Sequence, residues 1–218
     1  REQKSIMEDF LGVLISSVSG AMAILIPAYL LHIREVRKYK CEINEHKLRG
    51  DVLDRILDLT LLTTIKNSVH DLFKITESDR FLILIAINGQ VDFRTVSVIF
   101  EQHKQSTSSA IATYKSLKVD SYYVRMLKEA EKYDIVDIET DKLPPSLLKT
   151  IYEEEGIMFA IVRHINRVKL DNNNDCLIYA SIATHEDKPF TVAERYKIQT
   201  HIDGTIKPAI EKMLLNNY

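Results

Sequence analysis

Seven histidines, two cysteines and one run of glutamates are the side chains that could carry chemistry in this sequence. The histidines are His32, His46, His70, His103, His164, His185 and His201. None pairs with a second ligand at helical spacing in a recognisable metal motif, and HExxH is absent, so no metal site is expected. Surface or hydrogen-bonding roles are the plainer reading for all of them. Glu153, Glu154 and Glu155 fall at the C-terminal end of an expected helix, where the helix dipole disfavours negative charge. That run could hold a cation or a basic partner, but a solvated face is the simpler reading. No glycine-rich phosphate loop and no G-x-S-x-G is present. The expectation is a non-enzymatic chain with no catalytic residues and no cofactor.

Cys41 and Cys176 are too few and too far apart for a disulfide framework, and they fit a reducing compartment. Cys41 sits beside basic residues that would lower its pKa, close to an apolar block where acylation is open to it. An unmodified thiol remains the plainer reading. The formal net charge of −2 supplies no cationic field, so nucleic acid is not expected as a partner.

The elements that must position any site begin with that block. From Phe10 to Ile33 there is no Asp, Glu, Lys or Arg. About 20 apolar residues cross a hydrocarbon layer of about 30 Å, so residues 10–33 are expected to form a transmembrane helix behind a short flank, 1–9. The mixed charge of that flank argues against a signal peptide. Arg34, Arg37, Lys38 and Lys40 follow the span, against Arg1 and Lys4 before it, which places the C-terminal part in the cytoplasm. The same basic residues suit anionic lipid headgroups. Gly12, Ser16 and Gly20 recur every four residues, a small-residue face for helix packing, so a homo-oligomer is expected.

Residues 34–50 read as a helical juxtamembrane linker, and 51–218 as a soluble domain. Val52, Ile56, Leu59, Leu62, Ile65, Val69 and Leu72 form a helical stripe without a clean heptad. Arg80 to Ile87 and Phe93 to Phe100 flank Asn88-Gly89, which predicts a β-hairpin. Residues 104–121 resist assignment. A helix is expected over Tyr122 to Tyr133, a short extended piece over Ile135 to Ile138, and a helix from Pro144-Pro145-Ser146 through Glu155, ended by Gly156. Strands follow over Ile157 to Ile165 and Cys176 to Thr184. Thr191 and Glu194 make a capping box for a closing helix that Pro208 should kink.

Strand Cys176 to Thr184, a turn, then Pro189-Phe190-Thr191 and Glu194 resemble the ending of a GAF domain. Val136-Asp137, the proline-initiated helix, Gly156 and the strand after it resemble that family's acidic edge, helix, glycine and inner strand. The resemblance covers about residues 48 to 215. It implies an α+β domain, with an antiparallel sheet flanked by helices, used for sensing or regulation. PAS domains share this plan, so that assignment stays open. The family's cyclic-nucleotide signature is not matched, and no cysteine–histidine pair is placed to attach a bilin.

The expected function is therefore a membrane-anchored sensory, regulatory or protein-interaction module that self-associates through its span. Its partners would be the bilayer, further copies of itself, and a protein or small-molecule ligand. The alternative is a structural or pore-forming assembly subunit, as in some phage holins.

Overall fold

The computed structural model describes residues 59–88, 92–104, 110, 114–171 and 174–215. The expected flank, span and linker, residues 1–50, lie outside them. Among the described residues no helix is long and apolar enough to cross a membrane.

Helix α1 (Leu59–Ile75) opens the described chain and buries Ile65, Val69, Leu72 and Phe73, one stripe of the expected helical pattern. Strands β1 (Arg80–Asn88) and β2 (Phe93–His103) form the expected antiparallel hairpin. The register slips between Ile83 and Leu84, leaving Ile99 as an extra residue on β2. Within the unassigned stretch lies β3 (Leu117–Lys118), which pairs with β2 after a left-handed turn at Ser116 (φ 54).

Helix α2 (Ser121–Tyr133), strand β4 (Ile135–Glu139), a 3-10 turn (Thr140–Lys142) and helix α3 (Leu147–Glu154) follow. One carboxylate serves both helices. Asp120 accepts from the Tyr123 amide at 2.8 Å to cap α2, and from the Leu147 amide at 2.7 Å at the start of α3. Ser146 caps α3 as well. The far end of α3 stops one residue before the expected Glu155. Gly156 takes φ 69 and donates to the Glu153 carbonyl, while Ile157 donates to that of Tyr152. This is the Schellman arrangement, which glycine enters without a Cβ clash.

Strands β5 (Phe159–Asp171) and β6 (Asn174–Thr184) are longer than the sequence suggests, since the polar residues near 169–175 continue the ladder. The six strands run in the order β3-β2-β1-β6-β5-β4, with every pairing antiparallel. The capping box at Thr191 and Glu194 is present at the head of α4 (Val192–His201), and Glu194 also accepts from the Glu77 amide at 2.8 Å. Pro208 was expected to kink the closing helix. There a π turn (Ile202–Ile206) precedes helix α5 (Lys207–Leu215), with the Lys207 amide bonded to the Ile202 carbonyl. The wider turn takes up the ring of a residue that cannot donate.

Strand residues alternate between two cores. Phe81, Ile83, Ile85 and Ile87 meet Cys176, Ile178, Ala180 and Ile182 beneath α1, α4 and α5. Leu82, Leu84 and Ala86 meet Leu177, Tyr179 and Ala183 beneath α2 and α3.

Candidate functional site

The layer beneath α2 and α3 has a polar centre. Arg80 opens β1, Tyr179 and Ser181 come from β6, Tyr123 from α2, Tyr152 from α3, and Tyr114 from the segment ahead of β3. All are at most 4% exposed. The hydroxyls of Tyr123 and Tyr179 are 2.9 Å apart, and that of Tyr152 lies 3.4 Å from Ser181 Oγ. Burial pushes the phenols of Tyr114, Tyr123 and Tyr179 well above the ordinary range, so they stay neutral donors.

Into this layer the Arg80 guanidinium brings a full charge. Its Nη1 donates to Glu155 Oε2, and its Cζ lies 5.7 Å from the Tyr152 ring centroid. Among the described residues, its Nε and Nη2 have no hydrogen-bond partner. Glu155 follows the last turn of α3 and folds inward onto the arginine, with 18% of its side chain exposed. The expected solvated glutamate run thus divides: Glu153 and Glu154 are exposed, while Glu155 neutralises a buried cation.

An open groove of about 320 Å³ lies beside β4, the last strand of the sheet. One wall is α2, with Tyr122, Arg125, Met126 and Glu129. The opposite wall is Pro189, Phe190 and Arg195, at the entry to α4, and Lys142 and Leu143 close one end. Arg195 pairs with Asp137 at 2.8 Å and Lys142 with Glu139 at 2.7 Å. The Arg125 guanidinium lies over the Tyr122 ring at 4.8 Å. The volume falls in the range of ligand sites, and the floor is apolar with charged rims.

Each remaining described histidine except exposed His70 has a neighbour in bonding range. His103 meets Glu101, His164 lies 3.7 Å from Asp134, His185 bonds Asp79 at 2.7 Å, and His201 lies 3.3 Å from Ser68. Among the described residues no three His, Cys, Asp or Glu side chains are arranged to hold a metal ion. Cys176 is fully buried in the opposite core, and burial pushes its thiol up to about 12. The packing face Gly12, Ser16 and Gly20, the basic cluster Arg34, Arg37, Lys38 and Lys40, and Cys41 lie outside the described residues.

Arg80, Arg125 and Glu129 escape the sequence reading, whereas Glu155 belongs to the run that could hold a basic partner and meets one in Arg80. The available signal was Arg80 itself, a charge at the head of an otherwise apolar strand buried on both faces.

No protein-family model and no curated protein matches the sequence. Solved structures do match. A GAF/HD-domain protein of Geobacter sulfurreducens is 14% identical with a TM-score of 0.52, over 75% of this chain and 98% of that one. The GAF domain of a two-component sensor histidine kinase of Bacillus halodurans is 14% identical at 0.52, over 72% and 97%. A GAF domain of Synechocystis in its photoproduct state is 10% identical at 0.51, over 72% and 98%. At such identities the likeness establishes the fold. The described domain is GAF-like.

Proposed function

We propose that this GAF-like domain is a non-enzymatic regulatory module that binds a protein partner. It is held at the cytoplasmic face of a membrane by residues 10–33 and self-associates through Gly12, Ser16 and Gly20. The observation that supports an interaction role is the division of space in the α2/α3 layer. Tyr114, Tyr123, Tyr152 and Tyr179 fill the interior against the sheet, whereas the groove beside β4 stays open at the surface. Among the described residues, tyrosines packed against the sheet beside an open groove at its edge favour recognition at the rim over capture of a small molecule at the centre.

The anchor is supported by the uncharged run from Phe10 to Ile33 and by the basic residues after it. Arg34, Arg37, Lys38 and Lys40 would lie against anionic headgroups, each close charge contributing about 1 kcal/mol.

Membrane fractionation tests the reading. The full chain should stay with membranes through alkaline carbonate extraction. After detergent solubilisation it should cross-link as a small oligomer, and Gly12→Ile with Ser16→Ile and Gly20→Ile should reduce that species to monomer. Release by carbonate overturns the anchor. A large ring of copies with conductance in liposomes overturns the regulatory role in favour of the pore-forming alternative.

A further inference from the structure

The groove is bounded by a sheet edge, and that edge carries ordered, outward-facing main-chain groups. In an antiparallel pair, alternate residues turn both N–H and C=O toward the neighbouring strand. Thr140 N–H donates to the Met158 carbonyl and His164 N–H to the Asp134 carbonyl, each at 3.0 Å. Even-numbered positions along this stretch therefore face β5. The N–H and C=O groups of Ile135, Asp137 and Glu139 face away, at a repeat of about 7 Å. Charges on an edge strand usually deter pairing. Here Asp137 and Glu139 are already neutralised by Arg195 and Lys142.

Above that edge, α2 offers two charges with nothing to hold them. Among the described residues, neither Arg125 nor Glu129 makes an ion pair or hydrogen bond, and both are exposed. The Arg125 guanidinium lies over the Tyr122 ring at 4.8 Å, and both side chains line the groove; a guanidinium fork suits a carboxylate. The chain reverses at Asp134 (φ 66), so α2 runs back alongside β4. Residues 125 and 129 are about 6 Å apart along the helix. Side chains two residues apart on one face of a strand are about 7 Å apart, so the two repeats match.

We propose that the groove takes an extended peptide from a protein partner as a seventh strand antiparallel to β4. The peptide is read as acidic-x-basic, its acidic side chain against Arg125 and its basic one against Glu129. This deepens the interaction role proposed above and rests on it. Running antiparallel to β4, the bound strand follows the direction of α2, which puts the acidic residue first. The side chain between the two charges turns to the opposite wall, over Pro189 and Phe190, and an apolar residue suits it. A compact small molecule would meet the apolar floor, but it would not repeat main-chain donors and acceptors along the edge.

The test uses the full chain and two labelled, end-capped pentapeptides, Val-Glu-Val-Lys-Val and Val-Lys-Val-Glu-Val, followed by fluorescence anisotropy. Wild type should prefer the first about fivefold, the scale of two exposed charge pairs. The double variant Arg125→Glu with Glu129→Arg should reverse the preference, and folding of that variant is checked by circular dichroism. Residues directly opposed across an antiparallel pair share a face, so the valines oppose Ile135, Asp137 and Glu139 and enter the ladder, while the glutamate and lysine turn toward α2. N-methylation of the valine amides should abolish binding, and methylation of the glutamate and lysine amides should leave it. Equal binding of both peptides by both proteins overturns the proposal, as does binding that survives methylation of the valine amides. If wild type binds neither peptide at millimolar concentration, the strand proposal fails while the anchor and self-association, read by extraction and cross-linking, are untouched.

Discussion

Replacing Glu155 by alanine strands a cation in the interior. The Arg80 side chain keeps only 3% of its surface in solvent, and among the described residues Glu155 is the one carboxylate bonded to it. Breaking a buried ion pair by removing one partner costs about 3 to 5 kcal/mol, mostly for the charge left behind. Glu155 itself keeps 18% of its side chain exposed, so its removal lets some water reach the guanidinium. The lower end applies, about 3 kcal/mol. For a domain of this size that lowers Tm by about 6 to 12 °C. The informative control is Glu155→Ala combined with Arg80→Met. It removes the stranded charge together with Nε and Nη2, which have no hydrogen-bond partner among the described residues. The double variant should therefore recover at least half of the loss. Thermal and urea melts of the full chain by far-ultraviolet circular dichroism measure all three proteins. The reasoning is refuted if Glu155→Ala melts within about 1 kcal/mol of wild type, or if the double variant is less stable than the single one.

Tyr123→Phe or Tyr179→Phe alone leaves a buried hydroxyl without its 2.9 Å partner and should cost about 1 to 3 kcal/mol. Changing both should cost less than the sum of the singles, read from urea midpoints. His164 is held below the ordinary imidazole value of 6.5, first by burial and then by Lys207. A base whose folded pKa is lowered gives full stability above about 6.5 and loses it as pH falls through the folded value. Urea melts from pH 7.5 to 5 should show that slope, and His164→Gln should flatten it.

Local chemistry made much of the fold legible. Thr191 and Glu194 lie three residues apart and satisfy each other. Ser146 behind two prolines caps the helix that it heralds, and Gly156 ends it in the one backbone region glycine enters freely. The apolar run from Phe81 to Ile87 reads correctly as a strand covered on both faces. Features built across the chain were hidden. Arg80 and Glu155 are 75 positions apart, so no window of sequence pairs them. The groove draws on α2, β4, β5 and the entry to α4, and exists only once β4 closes the sheet. Strand β3 has two residues, too short for a period, and the π turn shows itself only as a hydrogen bond one residue longer than usual.

Because β1 is enclosed by helices on either side, it behaves as a party wall. When a core methyl is lost from a one-faced sheet, the strand can sag inward to fill the gap. Here any inward movement toward Ile178 opens an equal gap beside Leu177 on the far side. Relaxation is blocked in both directions, so a hole made at Ile83 or Leu84 stays a hole. Truncations along this strand therefore belong at the upper end of the usual cavity penalty, about 5 kcal/mol, whichever room they face.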